Sequence, residues 1–100
     1  MSEERLLVDQ CKKGNADAQE RLYMQFSKQM YVICLRYTRS QLEAEDVLQE
    51  AFIKVFDKID QFKGKTTIGG WIKRIVINTA LNSQRSKLYM FPMTDVEDLT

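Results

Sequence analysis

Apolar positions along the chain recur at steps of three and four through four segments, separated by short polar breaks. Ser2 with Glu3 and Glu4 suits a helix start, because a serine oxygen accepts from a free amide and acids favour the positive end of the helix dipole. Leu6, Leu7 and Cys11 are the expected inner face of this first helix and Gly14 its stop. Asn15 is the expected cap of a second helix running to about Tyr37, with Ala18, Leu22, Phe26, Met30, Ile33, Cys34 and Tyr37 turned inward. Ser40-Gln41-Leu42-Glu43 fits the capping box, in which a serine hydroxyl and a glutamate carboxylate satisfy free amides at the amino end. It opens a third helix whose predicted stripe is Ala44, Val47, Leu48, Ala51, Phe52, Val55, Phe56 and Ile59.

The pattern then breaks at roughly residues 63 to 66. A fourth helix follows, capped by Thr66 or Thr67, with Ile68, Trp71, Ile72, Ile75, Val76 and Thr79 inward. The only proline is Pro92, so nothing interrupts the helices before about residue 90. With no strand signal, these segments predict an all-α fold, a compact bundle of about four helices. The expected organisation is one domain over residues 1–91 and an acidic tail over 92–100, read as a linker or frayed end.

Composition narrows the chemistry. One hundred residues enclose one modest core. There is no histidine, so the usual general base is missing and no Ser/His/Asp or Cys/His arrangement can be built. The two cysteines, Cys11 and Cys34, occupy apolar helical positions without a CxxC partner, and are expected to be reduced core residues. No enzyme, metal or cofactor is implied. No apolar run approaches the roughly 20 residues of a membrane span. The amino terminus is acidic where a secretory signal would be basic, so the expected location is cytoplasmic, with no membrane partner.

The formal net charge of +1 hides two opposed regions. Residues 40–60 carry an excess of acids, whereas residues 63–87 carry Lys63, Lys65, Lys73, Arg74, Arg85 and Lys87 and no acid. Such a division suits two different partners, or simply solvated helix faces. At about 100° per residue, Asp46, Gln49, Glu50, Ile53 and Asp57 share an outward strip of the third helix. An isoleucine among acids reads either as an apolar anchor in a polar rim or as a stray exposed residue. The outward side of the fourth helix carries Lys73, Arg74, Ile77, Asn78, Leu81, Gln84 and Arg85, with Asn82 near its edge. Cations there suit phosphates, and amides suit base edges.

The stretch EAEDVLQEAFIKVFDKIDQFKGKTTIGGWIKRIVINTALNSQR resembles conserved region 2 of bacterial sigma factors, specifically the extracytoplasmic-function group. An ED-x-x-QE-x-F segment, an F-x-G loop and W-I-x-R-I-x-x-N occur in that order, and the likeness covers roughly residues 5 to 90. The resemblance implies that Asp46, Gln49, Glu50, Ile53 and Asp57 dock on the clamp helices of the largest catalytic subunit of core RNA polymerase. It implies that the loop and fourth helix recognise and open the minus-ten promoter element on the non-template strand, and it admits an anti-sigma factor as a further partner. Members of the group normally carry a second, helix-turn-helix domain that these residues do not supply, so an excised domain or a truncated relative is expected.

On this reading the loop has a physical purpose. An extruded base needs a rim the backbone can approach, which Gly64 permits, and polar groups to read its edge, which Thr66 and Thr67 supply. Lys63 and Lys65 hold the strand by charge. The expected DNA-contacting set is therefore Lys63, Gly64, Lys65, Thr66, Thr67, Ile68, Trp71, Lys73, Arg74, Asn78, Asn82, Arg85 and Lys87. Trp71 fits both core packing and a role at the fork of the duplex. The rival readings are a stand-alone helical regulator gripping duplex DNA and a protein-binding adaptor. The first lacks a recognisable helix-turn-helix, and the second leaves the basic loop idle.

Overall fold

In a computed structural model, the described residues are 2–90, with side chains described through Ser86. The chain forms α1 (Glu3–Lys12), α2 (Ala16–Tyr37), α3 (Gln41–Lys58), a single 3-10 turn (Ile59–Gln61) and α4 (Ile68–Met90). No strand occurs among the described residues. The acidic tail expected at 92–100 and the side chain of Lys87 lie outside them. No helix among the described residues is long and apolar enough to cross a membrane.

Local chemistry sets the helix ends. The hydroxyl of Ser2 accepts from the Arg5 amide at 3.1 Å, and Asn15 Oδ1 accepts from the Ala18 amide at 3.0 Å. Ser40 Oγ accepts from the Glu43 amide at 3.1 Å. The reciprocal half of the capping box takes a different form. Glu43 Oε2 accepts from the Arg39 amide at 3.4 Å, one residue before the cap, while Oε1 accepts from Gln84 Nε2 at 2.9 Å. One carboxylate thus caps α3 and ties it to α4.

Helices α2, α3 and α4 pack on one another, and α1 lies against α2 and the 3-10 turn. The shared core includes Leu22, Met30, Val47, Val55, Ile59, Ile68, Ile72 and Val76. Tyr23 meets Phe52 edge-on at 4.8 Å between ring centroids. Gly69, in the first turn of α4, lets that helix close on α2: a Cβ there would lie 2.9 Å from the Phe26 ring.

Two inward expectations change. Leu6 is 51% exposed, and Val8 is buried in its place. At about 100° per residue Leu6 stands roughly 140° around from Cys11, too far to share the narrow face that α2 covers. Tyr37, 36% exposed, is the last residue of α2, where the helix has run past the core. Phe56 is half-buried and packs against the core as expected, its ring 6.1 Å from that of Phe52. Both cysteines are free and buried, and burial pushes both thiols above their ordinary pKa, against the smaller opposing influence of Arg21 on Cys11. No cluster that could hold a metal ion occurs among the described residues.

Candidate nucleic-acid and protein-docking site

The chain between α3 and α4 is held open by three local devices. After the 3-10 turn, the Phe62 amide donates to the Ile59 carbonyl at 3.0 Å, which ends the helical path. Gly64 then adopts φ +76°, a left-handed conformation that side-chain-bearing residues rarely take. Thr67 closes the loop as the cap of α4, its Oγ1 accepting from the Gly70 amide at 3.1 Å. This decides between the two threonines the sequence offered, and leaves the Thr67 hydroxyl hydrogen free to donate. The Thr66 hydroxyl donates to the Thr67 carbonyl at 3.3 Å and is exposed.

A distant residue braces the loop. Lys12 Nζ, from the last turn of α1, donates to the Phe62 carbonyl at 2.7 Å. Between α1 and the loop lies an open groove of about 430 Å³, within the usual range for small-ligand sites. Lys63, Gly64, Thr66 and Thr67 line its loop side. Ile68 also borders it but is 2% exposed, so it belongs to the core and supplies only apolar floor. Lys65 is exposed and outside the lining. Trp71 does not line the groove. It is half-buried, with its ring 5.4 Å from that of Phe62, so it supports the residue from which the loop departs.

On α4, Arg74, Asn78, Asn82 and Arg85 are exposed, and at about 100° per residue they form a strip starting beside Trp71. Lys73 is exposed on a separate side, about 100° from Arg74 around the helix. Gln84, outward in the sequence reading, is engaged with Glu43 and is not free to read a base. Asn78, Asn82 and Arg85 also line a depression of about 320 Å³ together with Lys54 and Lys58 of α3. Those two lysines escaped the sequence reading because they sit in an acidic run. Their helical angles, turned toward α4, are the signal that finds them.

A separate surface lies on α3. Asp46, Gln49, Glu50, Ile53 and Asp57 are all exposed on α3, and Ile53 is 70% exposed. Leu42, also 70% exposed, stands on the same strip, four residues before Asp46 and eleven before Ile53. The capping-box reading of Ser40–Glu43 had hidden it. Two exposed apolar side chains thus stand on the same strip as the acids.

The model of sigma-70 region 2 matches residues 22–88, which hold α3, the loop, almost all of α4 and most of α2. The chain belongs to the sigma-70 region 2 family. Among its relatives, the RNA polymerase sigma-H factor of Pseudomonas aeruginosa is 32% identical over 90 residues, 90% of this chain and 47% of that protein. The ECF RNA polymerase sigma-E factor of Escherichia coli K12 is 33% identical over 94 residues, 94% of this chain and 49% of that protein. The chain therefore spans about half the length of the curated relatives it matches. A solved structure of an engineered region 2 of sigmaE, in complex with GTAAAA, is similar with a TM-score of 0.78 and 32% identity. That likeness covers 87% of this chain and 94% of the solved one, so the four-helix architecture is that of sigma region 2.

Proposed function

We propose that this domain binds core RNA polymerase through α3 and recognises and opens the minus-ten promoter element through the loop groove and α4. The observation that carries the reading is the groove beside Gly64, Thr66 and Thr67, continued by the exposed cations and amides of α4, in a fold similar to a region 2 solved with GTAAAA. The groove accepts an extruded base of the non-template strand. Thr66 and Thr67 hydroxyls and the loop backbone meet its edge, while Lys63, Lys65, Arg74 and Arg85 hold phosphates. Lys73 holds phosphate from the neighbouring side, and Lys87 belongs to the same set by sequence. Trp71 supports the groove through Phe62 and stands where the duplex ends.

Asn78 and Asn82 read bases next to the extruded one, since an amide offers a paired donor and acceptor. Extrusion costs about a few kcal/mol, which contacts in the groove must return; no ATP and no catalytic group takes part. Asp46, Gln49, Glu50 and Asp57 form the polar rim and Ile53 the anchor for the clamp helices of the polymerase's largest subunit. An anti-sigma factor would silence the domain by covering either face. The domain works in the cytoplasm with polymerase and is not an enzyme.

The test is binding of the chain, in parallel, to single-stranded GTAAAA and to a clamp-helix fragment of polymerase. Binding to both, with weakened DNA affinity when GTAAAA is scrambled, supports the reading. Binding to DNA regardless of sequence, with no affinity for the fragment, would favour a stand-alone DNA-binding protein instead.

A further inference from the structure

The groove has a wall that the family match does not reach. The matched residues begin at Leu22, yet one side of the groove is α1, including Arg5, Val8, Asp9 and Lys12. Val8 is buried and contributes apolar surface. Lys12 is spent on the Phe62 carbonyl. Arg5 is exposed, and Glu4 sits exposed in the first turn of α1. Asp9 differs from all of them: it is half-buried, lines the groove, and its carboxylate has no hydrogen bond or ion pair with any described residue.

A carboxylate held at the wall of a groove roomy enough for a base is an acceptor with no donor from the described protein residues. Cytosine presents an exocyclic amine at C4, and aspartate accepts from that amine. Thymine and uracil present a carbonyl at the same place, so a carboxylate there meets a second acceptor and neither group is satisfied. Arg5 on the same helix and Lys63 across the groove keep the site compatible with a phosphate-bearing strand despite Asp9 and Glu4. We propose that Asp9 selects the base held in this groove, its carboxylate accepting from the amine of cytosine and rejecting the carbonyl of thymine or uracil. This rests on the reading of the groove as a base pocket. Adenine also carries an amine, so the informative comparison is cytosine with uracil, which are equal in size and differ at C4.

The experiment measures fluorescence anisotropy of the 100-residue chain with hexamers based on GTAAAA, each position in turn made cytosine or uracil. At one position cytosine should bind about tenfold more tightly, the worth of a hydrogen bond to a charged group. Asp9→Asn keeps the shape but adds a donor that suits uracil, so the ratio at that position should fall to about one, with the salt dependence and helical circular dichroism of the parent retained. Asp9→Ala should give the same loss. A cytosine preference that persists in Asp9→Asn, or no such preference at any position in the parent, overturns the proposal. Exchange of Lys65, Thr66 and Thr67 is run beside it. If that exchange alters the base profile while Asp9→Asn does not, only the role of Asp9 falls; if the exchange alters nothing, the pocket reading falls and this proposal with it.

Discussion

Replacing Lys12 by methionine tests whether α1 braces the loop from a distance. The substitution preserves most of the half-buried stem and removes the donor that reaches the Phe62 carbonyl at 2.7 Å. A hydrogen bond involving a charged group contributes about 1.5–3 kcal/mol net, and partial exposure puts this one near the lower end, about 1.5 kcal/mol. For a domain of this size, that loss lowers the melting temperature by about 6–12 °C. The same energy bounds the effect on binding. If only the braced loop accepts DNA, releasing it reduces the competent fraction by at most about tenfold, and apparent affinity falls in proportion. Because Nζ is already engaged, the salt dependence should not change, whereas a phosphate contact on single strands would remove about 0.7 from the slope of log affinity against log salt. Thermal melts followed by circular dichroism and titrations with GTAAAA over a range of salt concentrations measure both quantities. A slope reduced by about 0.7 with the parent's melting temperature would refute the brace and make Lys12 a phosphate contact.

Ile53→Asp should lower affinity for a clamp-helix fragment by about 2 kcal/mol or more if Ile53 anchors the interface, and Leu42→Asp should also weaken it. Both residues are 70% exposed, so helical content should be unchanged and only the fragment titration should move. Thr67→Ala should cost about 1 kcal/mol of stability in urea melts through loss of the α4 cap, and Thr67→Ser should restore it. Burial raises both thiol pKa values, so the stability tied to the protonated thiols is fully present below the ordinary thiol value of about 8.5 and is lost as pH rises through the raised folded-state values. At pH 8 iodoacetamide should therefore label Cys11 and Cys34 slowly in the native protein and rapidly in urea.

The sequence was most informative where chemistry is local. Ser2, Asn15 and Ser40 cap helices as their positions predict, because each cap depends on an amide only three residues away. The α3 stripe was legible because Val47, Leu48, Ala51, Phe52 and Val55 follow the helical period and face two packed neighbours. Contacts between distant residues were not legible. Nothing in periodicity joins Lys12 to Phe62 or Glu43 to Gln84, since those pairings exist only once the helices are assembled. For the same reason the pattern of α1 assigns Asp9 no role, and the sequence places the pocket at the loop without its α1 wall. Ile68 carries two readings in the sequence, first inward residue of the fourth helix and member of the DNA-contacting set, and its burial bears out the first while leaving it only the floor of the groove.

On the proposed function, sequence is read at the groove beside the Lys63-to-Ile68 loop. The measurement that tests it most directly is a binding series over all four bases at each position of the GTAAAA hexamer, for the parent, for a chain with Lys65, Thr66 and Thr67 exchanged for other polar residues, and for Asn78→Ala. The loop exchange should change which base is preferred at one position. Asn78→Ala should weaken discrimination by about 1–3 kcal/mol at a neighbouring position, the usual worth of a good paired contact. An identical base profile in the parent and the loop-exchanged chain would contradict the account, leaving Thr67 as a helix cap and the lysines as charge alone.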